Sequence, residues 1–472
     1  MYDLMPDDII PLFLTKEYIK SLILEKPSPD EMKTANQRSL TTLSHEYLDA
    51  EPGGINIHDF DGNTILDCTG QVWTLNLGHC QPDINYAVYE QMKRLTHVRY
   101  NYVTIPRIRL INALTEIAPG DLKKVSFNNE GGSLAIEAAI KLALINKKKA
   151  YSFLSYWRGY HGSTLSTYSA SYRFAGLLGE GSTLRGFGLD RFQAIPYPYC
   201  YRCPLRQYEG LHGEKDPSCD CECLDIVDRT IDYAPSEVAG IIMEPIQGAG
   251  GQIPAPKLYL ERLRKICDEQ KVYLIFDESQ TNMGKVGDWF AANYYGVTPD
   301  IIAVTKSLGG GFPIGATLAS EKFRKGFSPV EEHTTFGASP IMFAAALINI
   351  EVIKKANILA EVKRKGAYVT KRLKEMQEEF NIIGDVRGPG LFIGIEIVED
   401  RDTKKPSNSR AEKILEEAYK RKVLIDLNMP IMTRRNENYR NVIKYKPPLV
   451  ITDEQIDHSL DVIRECIQLV SD

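Results

Sequence analysis

The chain has no uninterrupted apolar run approaching the roughly 20 residues that cross a bilayer, so no membrane-spanning helix is expected. It has no excess of one charge. Against 57 basic side chains stand 62 acidic ones, a formal net charge of -5 that gives no reason to expect nucleic acid or an anionic membrane as partner. Residues 1–11 hold three acids and no basic cluster ahead of an apolar core, so neither a secretory signal nor a transit peptide is expected. Nor is there an even set of cysteines; nine argues against a fully paired secreted framework. Internal repeats and low-complexity tracts are missing as well. These absences predict a soluble, cytoplasmic protein.

What is present is a chain of 472 residues, 43% hydrophobic and 25% charged, long enough for two or three domains with a large core. Its most informative stretch runs from Lys271 to Gly315. Two short apolar, β-branched runs, Val272 to Phe276 and Ile301 to Val304, lead into ionisable residues: Asp277 directly, and Lys306 just past the second run. Room for one helix lies between them, which reads as a β-α-β unit. In open parallel sheets reactive groups gather at the carboxyl ends of strands, so Asp277 and Lys306 are expected to face one crevice. An amine and a carboxylate held there suit pyridoxal 5′-phosphate, which needs a lysine for its Schiff base and an acid opposite its pyridine nitrogen.

Elsewhere the first forty residues read as a helical arm. From Gly54, INIHDFDGNTILDCTG reads as a hairpin turning at Asp61-Gly62. A helix is expected from Asn85 to Leu95, a strand at Lys124 to Asn128, and a helix from Ser133 closed by lysines. Further strands are expected at Ala150 to Leu154 and Val238 to Met243, the latter ending in Glu244. After Gly337 the pattern changes to long helices over 341–380, a strand in GPGLFIGIEIV, and a helix from Ser409 to Lys422.

Five segments, Tyr160-His161-Gly162, Glu244-Pro245-Ile246-Gln247-Gly248, Asp277-Glu278-Ser279-Gln280, Thr305 to Gly311, and Lys446-Pro447-Pro448-Leu449, resemble in order and spacing the class III aminotransferases of PLP fold type I. The resemblance runs from about Gly54 to the C-terminus. It implies a large, mainly parallel α/β/α domain and a smaller α+β domain: an arm and hairpin at 1–89 packing with the small domain, a cofactor-binding domain at 90–340, and the small domain at 341–472.

The resemblance also assigns roles. Lys306 is the Schiff-base lysine and proton shuttle, and Asp277 holds the pyridine nitrogen protonated. Gln280 matches the residue on the phenolic oxygen, and Tyr160, followed by His161, the aromatic over the ring. Gly131, Gly132 and Ser133 stand at the phosphate cup, where a helix N-terminus offers free N–H groups. Thr335 matches a threonine reaching the phosphate from a neighbouring subunit, which implies a homodimer with shared sites, a tetramer remaining open. Glu244 resembles a gate glutamate whose arginine partner is replaced here by Lys444, a point charge without the bidentate fork. Trp73 stands in a loop that lines the substrate pocket. Ser279, Asn282 and Lys285 depart from the usual residues at their positions.

Cys200, Cys203, Cys219, Cys221 and Cys223 form a cluster without standard finger spacing. It reads as free thiols on an insertion, with a structural zinc site as the alternative and no catalytic metal. The expected activity is transfer of an amino group from an amine or ω-amino acid to pyruvate or 2-oxoglutarate by ping-pong. Amino-acid racemisation on the same scaffold and a non-catalytic, metal-linked binder are the alternatives.

Overall fold

The computed structural model describes residues 13–40, 49–128, 131–171, 191–205, 219–323, 325–328, 330–432 and 438–471. Glu130, at the edge of the expected phosphate cup, lies outside them. No helix among the described residues is long and apolar enough to cross a membrane.

The core is a seven-stranded sheet in the order Lys124–Asn128, Gly315–Ala319, Ile301–Val304, Tyr273–Asp277, Glu237–Met243, Ala150–Tyr156, Phe192–Ile195. All neighbours are parallel except Gly315–Ala319, which runs against both strands beside it. The central strands are continuous apolar runs because both faces are covered, unlike the alternating strands of a half-wet sheet. Ile241, Ile242, Leu274, Ile275, Phe276, Ile301 and Ile302 are wholly buried. Each contributes about 1.5–3 kcal/mol by leaving water. The Ala-rich helix Gly132–Asn146 lies across the Ile301–Val304 and Gly315–Ala319 strands, its alanines allowing close approach.

A second sheet is antiparallel, in the order Ile383–Arg387, Ile393–Ile397, Val442–Tyr445, Asp426–Leu427. The N-terminal hairpin, Asn56–His58 with Thr64–Asp67, adds Val423–Leu424 in parallel, joining the start of the chain to its last fifty residues.

Several elements differ from expectation for local reasons. The hairpin does not turn on two residues: His58 pairs with Thr64, and the Asp59 carboxylate holds the wider loop by accepting from the N–H groups of Asp61 and Asn63. The room for a helix after Asp277 holds only Ala291–Tyr295, stopped by Gly296 in the left-handed conformation. The long helical pattern over 341–380 is two helices, Pro340–Lys355 and Ile358–Glu379, broken where Asn357 adopts φ 51°. The arm helices Lys16–Leu24 and Pro29–Arg38 bury no residue, and the second starts with a capping box between Ser28 and Glu31.

Candidate active site

Strand register builds the centre. Phe276 lies opposite Met243 and Asp277 opposite Ala303, so Asp277 and Glu244 close neighbouring parallel strands and Lys306 follows three residues past the second pairing. All three therefore reach the carboxyl edge of the sheet. His161 arrives from the turn after the Ala150–Tyr156 strand, and its Nδ1 lies 2.8 Å from Asp277 Oδ2. The other oxygen, Oδ1, accepts from the Ser279 N–H at 3.0 Å.

Electrostatics follow from these contacts. Burial pushes the Asp277 carboxyl up, but the His161 hydrogen bond and charge, with the Ser279 donor, outweigh it and hold its pKa below the ordinary value. Burial works against the charged form of His161, yet bonding to Asp277 leaves its pKa raised. The pair therefore favours imidazolium facing carboxylate. Glu244 accepts from the N–H groups of Tyr160 and Gly248, each at 2.9 Å. Burial moves its pKa up to about 7, with His161 opposing and Asp277 adding to the shift. Lys306 opens a single 3₁₀ turn with φ 54°. It keeps some contact with solvent through the crevice, but the walls strip enough water from its amine to lower the pKa to about 8, against the pull of Asp277 and Glu244.

Around this centre the backbone leaves room. Gly131, at φ 107°, caps the Gly132–Asn146 helix, and the place of its missing Cβ is open space. A Cβ on Gly132 would stand 3.0 Å from Thr305 Cγ2 and 3.2 Å from Ser279 Oγ. The Ser133 hydroxyl accepts from the Ser163 N–H at 3.1 Å. Gln280 is buried with its Oε1 unpartnered, and a Cβ at Gly248 would collide with that oxygen. Asn282 is turned away, donating to the carbonyls of Glu278 and Thr305, and Lys285 donates to the Pro447 carbonyl at 3.2 Å. Burial lowers the Lys285 pKa to about 7.

Opposite stands a cationic wall. Trp73 is buried, and three ammonium groups face its ring: Lys306 at 4.9 Å from the centroid, Lys444 at 5.0 Å and Lys446 at 3.4 Å. Gln71, Val72 and Trp73 all have left-handed φ, at 45°, 58° and 68°, a strained run for non-glycine residues. Asp67 holds that run by accepting from Thr69 and from the Gly70 N–H, and Ser307 Oγ donates to the Trp73 carbonyl at 2.6 Å. Lys444 does not meet Glu244. It shares Asp426 with Lys446, at 3.1 and 2.9 Å, because residues two apart on a strand point to one face. Lys446 entered the sequence reading only as the first residue of a family segment, with no role assigned, and Asp426 was not singled out. The Lys-x-Lys pattern before Pro447 was the available signal; nothing marked Asp426 as its partner.

Two expected groups lie apart from this centre. Thr335 is exposed on a turn beside Phe336. None of the five clustered cysteines is joined in a disulfide. Burial raises the Cys200 pKa to about 12, the nearby thiols adding to it. Among the described residues no group of three or more His, Cys, Asp or Glu is arranged to hold a metal.

The aminotransferase class-III family profile matches residues 43–467. The chain belongs to the class III aminotransferases. This aminotransferase is 34% identical over 418 residues to a leucine/methionine racemase of Thermococcus litoralis, covering 87% of this chain and 88% of that one. It is 33% identical to a 5-aminovalerate aminotransferase of Pseudomonas putida, covering 86% and 90%. Among solved structures, a taurine:2-oxoglutarate aminotransferase of Bifidobacterium kashiwanohense superposes with a TM-score of 0.84 at 25% identity, over 95% of this chain and 99% of the other. A Bacillus anthracis aminotransferase does so with 0.82 at 28%, over 93% and 98%.

The fold is therefore PLP fold type I, the enzyme a pyridoxal phosphate-dependent transaminase, and the non-catalytic reading is set aside. The residues present fit that cofactor. An unpartnered Gln280 oxygen, a helix N-terminus with open space before it, and a largely desolvated amine under the pull of the Asp277 carboxylate are what a flat, phosphorylated aldehyde requires.

Proposed function

We propose that this aminotransferase moves an amino group from an amine or ω-amino acid to a 2-oxo acid, pyruvate or 2-oxoglutarate, by ping-pong, the carbonyl product leaving before the acceptor enters. The observation that carries the reading is the register that sets Lys306 and Asp277 at one edge of the sheet, with burial lowering the amine's pKa to about 8. Bound pyridoxal phosphate supplies an aldehyde for the amino group and an electron-withdrawing ring.

The chain's own residues do the rest. A lowered pKa leaves a share of Lys306 uncharged near neutrality, so its Nζ can take a proton from the donor carbon and return one to the acceptor. Asp277 keeps negative charge against the ring nitrogen, and His161 fixes the orientation of that carboxylate. Gln280 would meet the cofactor's phenolic oxygen, Tyr160 would pack on its ring, and the N–H groups after Gly131 with the Ser133 hydroxyl would hold its phosphate. Trp73, Glu244 and Lys444 bound the substrate space. Exposed Thr335, with Val330 and Phe336 largely exposed nearby, supports a homodimer in which that threonine completes the partner's site. Nine cysteines without a disulfide among them support residence in a reducing compartment, the cytoplasm.

A second reading, racemisation of an amino acid, is favoured by two observations: Lys444 stands where the family's gate has an arginine, and a relative at 34% identity is a racemase. A half-reaction screen separates the two. Single amines and amino acids are added to the cofactor-loaded protein while its visible spectrum and the carbonyl product are followed. Bleaching with one carbonyl released per site supports transfer. Loss of optical activity without a carbonyl product overturns it in favour of racemisation.

A further inference from the structure

Lys444 and Lys446 are buried amines that share a single carboxylate. Val442–Tyr445 pairs antiparallel with the edge strand Asp426–Leu427, in a register that sets Asp426 directly opposite Lys444, and Lys446 comes two residues later. Both contacts run to one oxygen: Asp426 Oδ2 lies 3.1 Å from Lys444 Nζ and 2.9 Å from Lys446 Nζ. Among the described residues no other carboxylate lies within ion-pair distance of either amine.

Exposure divides the three groups. The Lys444 and Lys446 side chains keep 3% and 0% of their surface, whereas the Asp426 side chain keeps 44%. Partial burial pushes the Asp426 carboxyl up, but Lys446 and Lys444 outweigh it and hold it well below the ordinary carboxylate range, so it is ionised near neutrality.

These groups stand beside the reacting amine. Lys306, Lys444 and Lys446 lie 4.9, 5.0 and 3.4 Å from the centroid of the same Trp73 indole, and the charge of Lys444 reaches Lys306, lowering its pKa. The indole offers the amines a π face and no acceptor oxygen. Glu244 is engaged elsewhere, its two oxygens accepting from the N–H groups of Tyr160 and Gly248. Asp426 is therefore the anion that holds Lys444. A carboxylate arriving beside the indole meets an amine already paired.

We propose that Asp426 is a positioning residue for substrate selection, acting through Lys444. A ligand that carries a carboxylate must draw Lys444 off Asp426, a step that an amine donor without a carboxylate is spared. The donor class this favours is amines with no carboxylate. Lys446 moderates the hold, because an oxygen shared between two amines that repel each other binds each less strongly than it would bind one alone. This rests on the transaminase reading of the same crevice.

The test titrates propionate, with propionamide as its uncharged counterpart, into the cofactor-loaded protein by calorimetry. D426N should bind propionate about fivefold more tightly than wild type, the scale of one competing ion pair removed, and K446M about fivefold more weakly, with propionamide unchanged in both. Opposite signs from two contacting residues separate this role from a structural one. The KM for pyruvate should move in the same directions. In a Lys444→Met background the effect of D426N should vanish, since both act through one amine. Weaker or unchanged propionate binding by D426N, a gain that propionamide shares, a gain that survives without Lys444, or no propionate binding by any variant overturns the proposal. If D426N does not fold, K446M decides: weaker propionate binding supports the assignment, and unchanged or tighter binding overturns it. Asp426-dependent propionate binding by a protein that transfers no amino group would overturn the function proposed above and leave this inference standing. Amino transfer with D426N binding propionate as wild type does would do the reverse.

Discussion

The reacting centre and the wall that faces it are built in different ways. Asp277, Glu244 and Lys306 stand where three adjacent strands run out, so ordinary parallel pairing places them and little backbone distortion is needed beyond the turn at Lys306. The wall sets Trp73, at the end of a run of left-handed residues that Asp67 restrains, against Asp426, Lys444 and Lys446, which come from paired strands far along the chain. On the roles proposed above, the chemistry sits where strands end and Trp73, on one side of the substrate space, sits on a strained connection. That division lets the wall change while the centre is kept.

The largest effect that would break this contrast comes from the centre. Lys306→Ala should lower the amino-transfer half-reaction roughly 10⁴-fold, the scale of a lost nucleophile and proton carrier, as read by stopped-flow absorbance. A variant that keeps a tenth of the rate would mean that an amine of the wall carries the proton instead.

A smaller effect measures how far the wall reaches into the centre. Burial depresses the Lys306 pKa, so its uncharged form, the nucleophile, grows as pH rises through about 8. Uptake of pyridoxal phosphate by cofactor-free protein should therefore accelerate with a midpoint near there. Lys444 is a like charge that adds to the depression. Its removal in Lys444→Met should move the midpoint upward, and a midpoint that stays or falls would show the two amines to be insulated.

The smallest expected effect lies in the strained run itself. Val72 is largely exposed and β-branched at φ 58°, a conformation costing about 1–2 kcal/mol, which Val72→Gly relieves at an entropic cost of about 0.5–1 kcal/mol. A net gain of several tenths of a kcal/mol in denaturant unfolding is the expectation. A clear loss would show that packing, not the backbone, sets that turn.

The same contrast explains what could be read from the amino acids alone. Apolar runs ending in Asp277 and Glu244, with Lys306 just past a third, announce a parallel sheet and its reactive edge because strand grammar is local. The antiparallel Gly315–Ala319 and the edge strand Phe192–Ile195 carry no such signature, being short and defined by what they pair with. Asp426 looks like any acid near a strand until Val442–Tyr445 lies beside it and brings two lysines to one face. The break at Asn357 was hidden because the residues on either side keep helical spacing.

One contact ties the two regions together. The hydroxyl that steadies the Trp73 carbonyl belongs to the residue directly after Lys306. A shift of the indole to suit a new substrate therefore pulls on the peptide next to the reacting amine. With Trp73 lining the substrate space as proposed, that hydrogen bond couples preference to turnover through the backbone, so a lineage that retunes one inherits a change in the other.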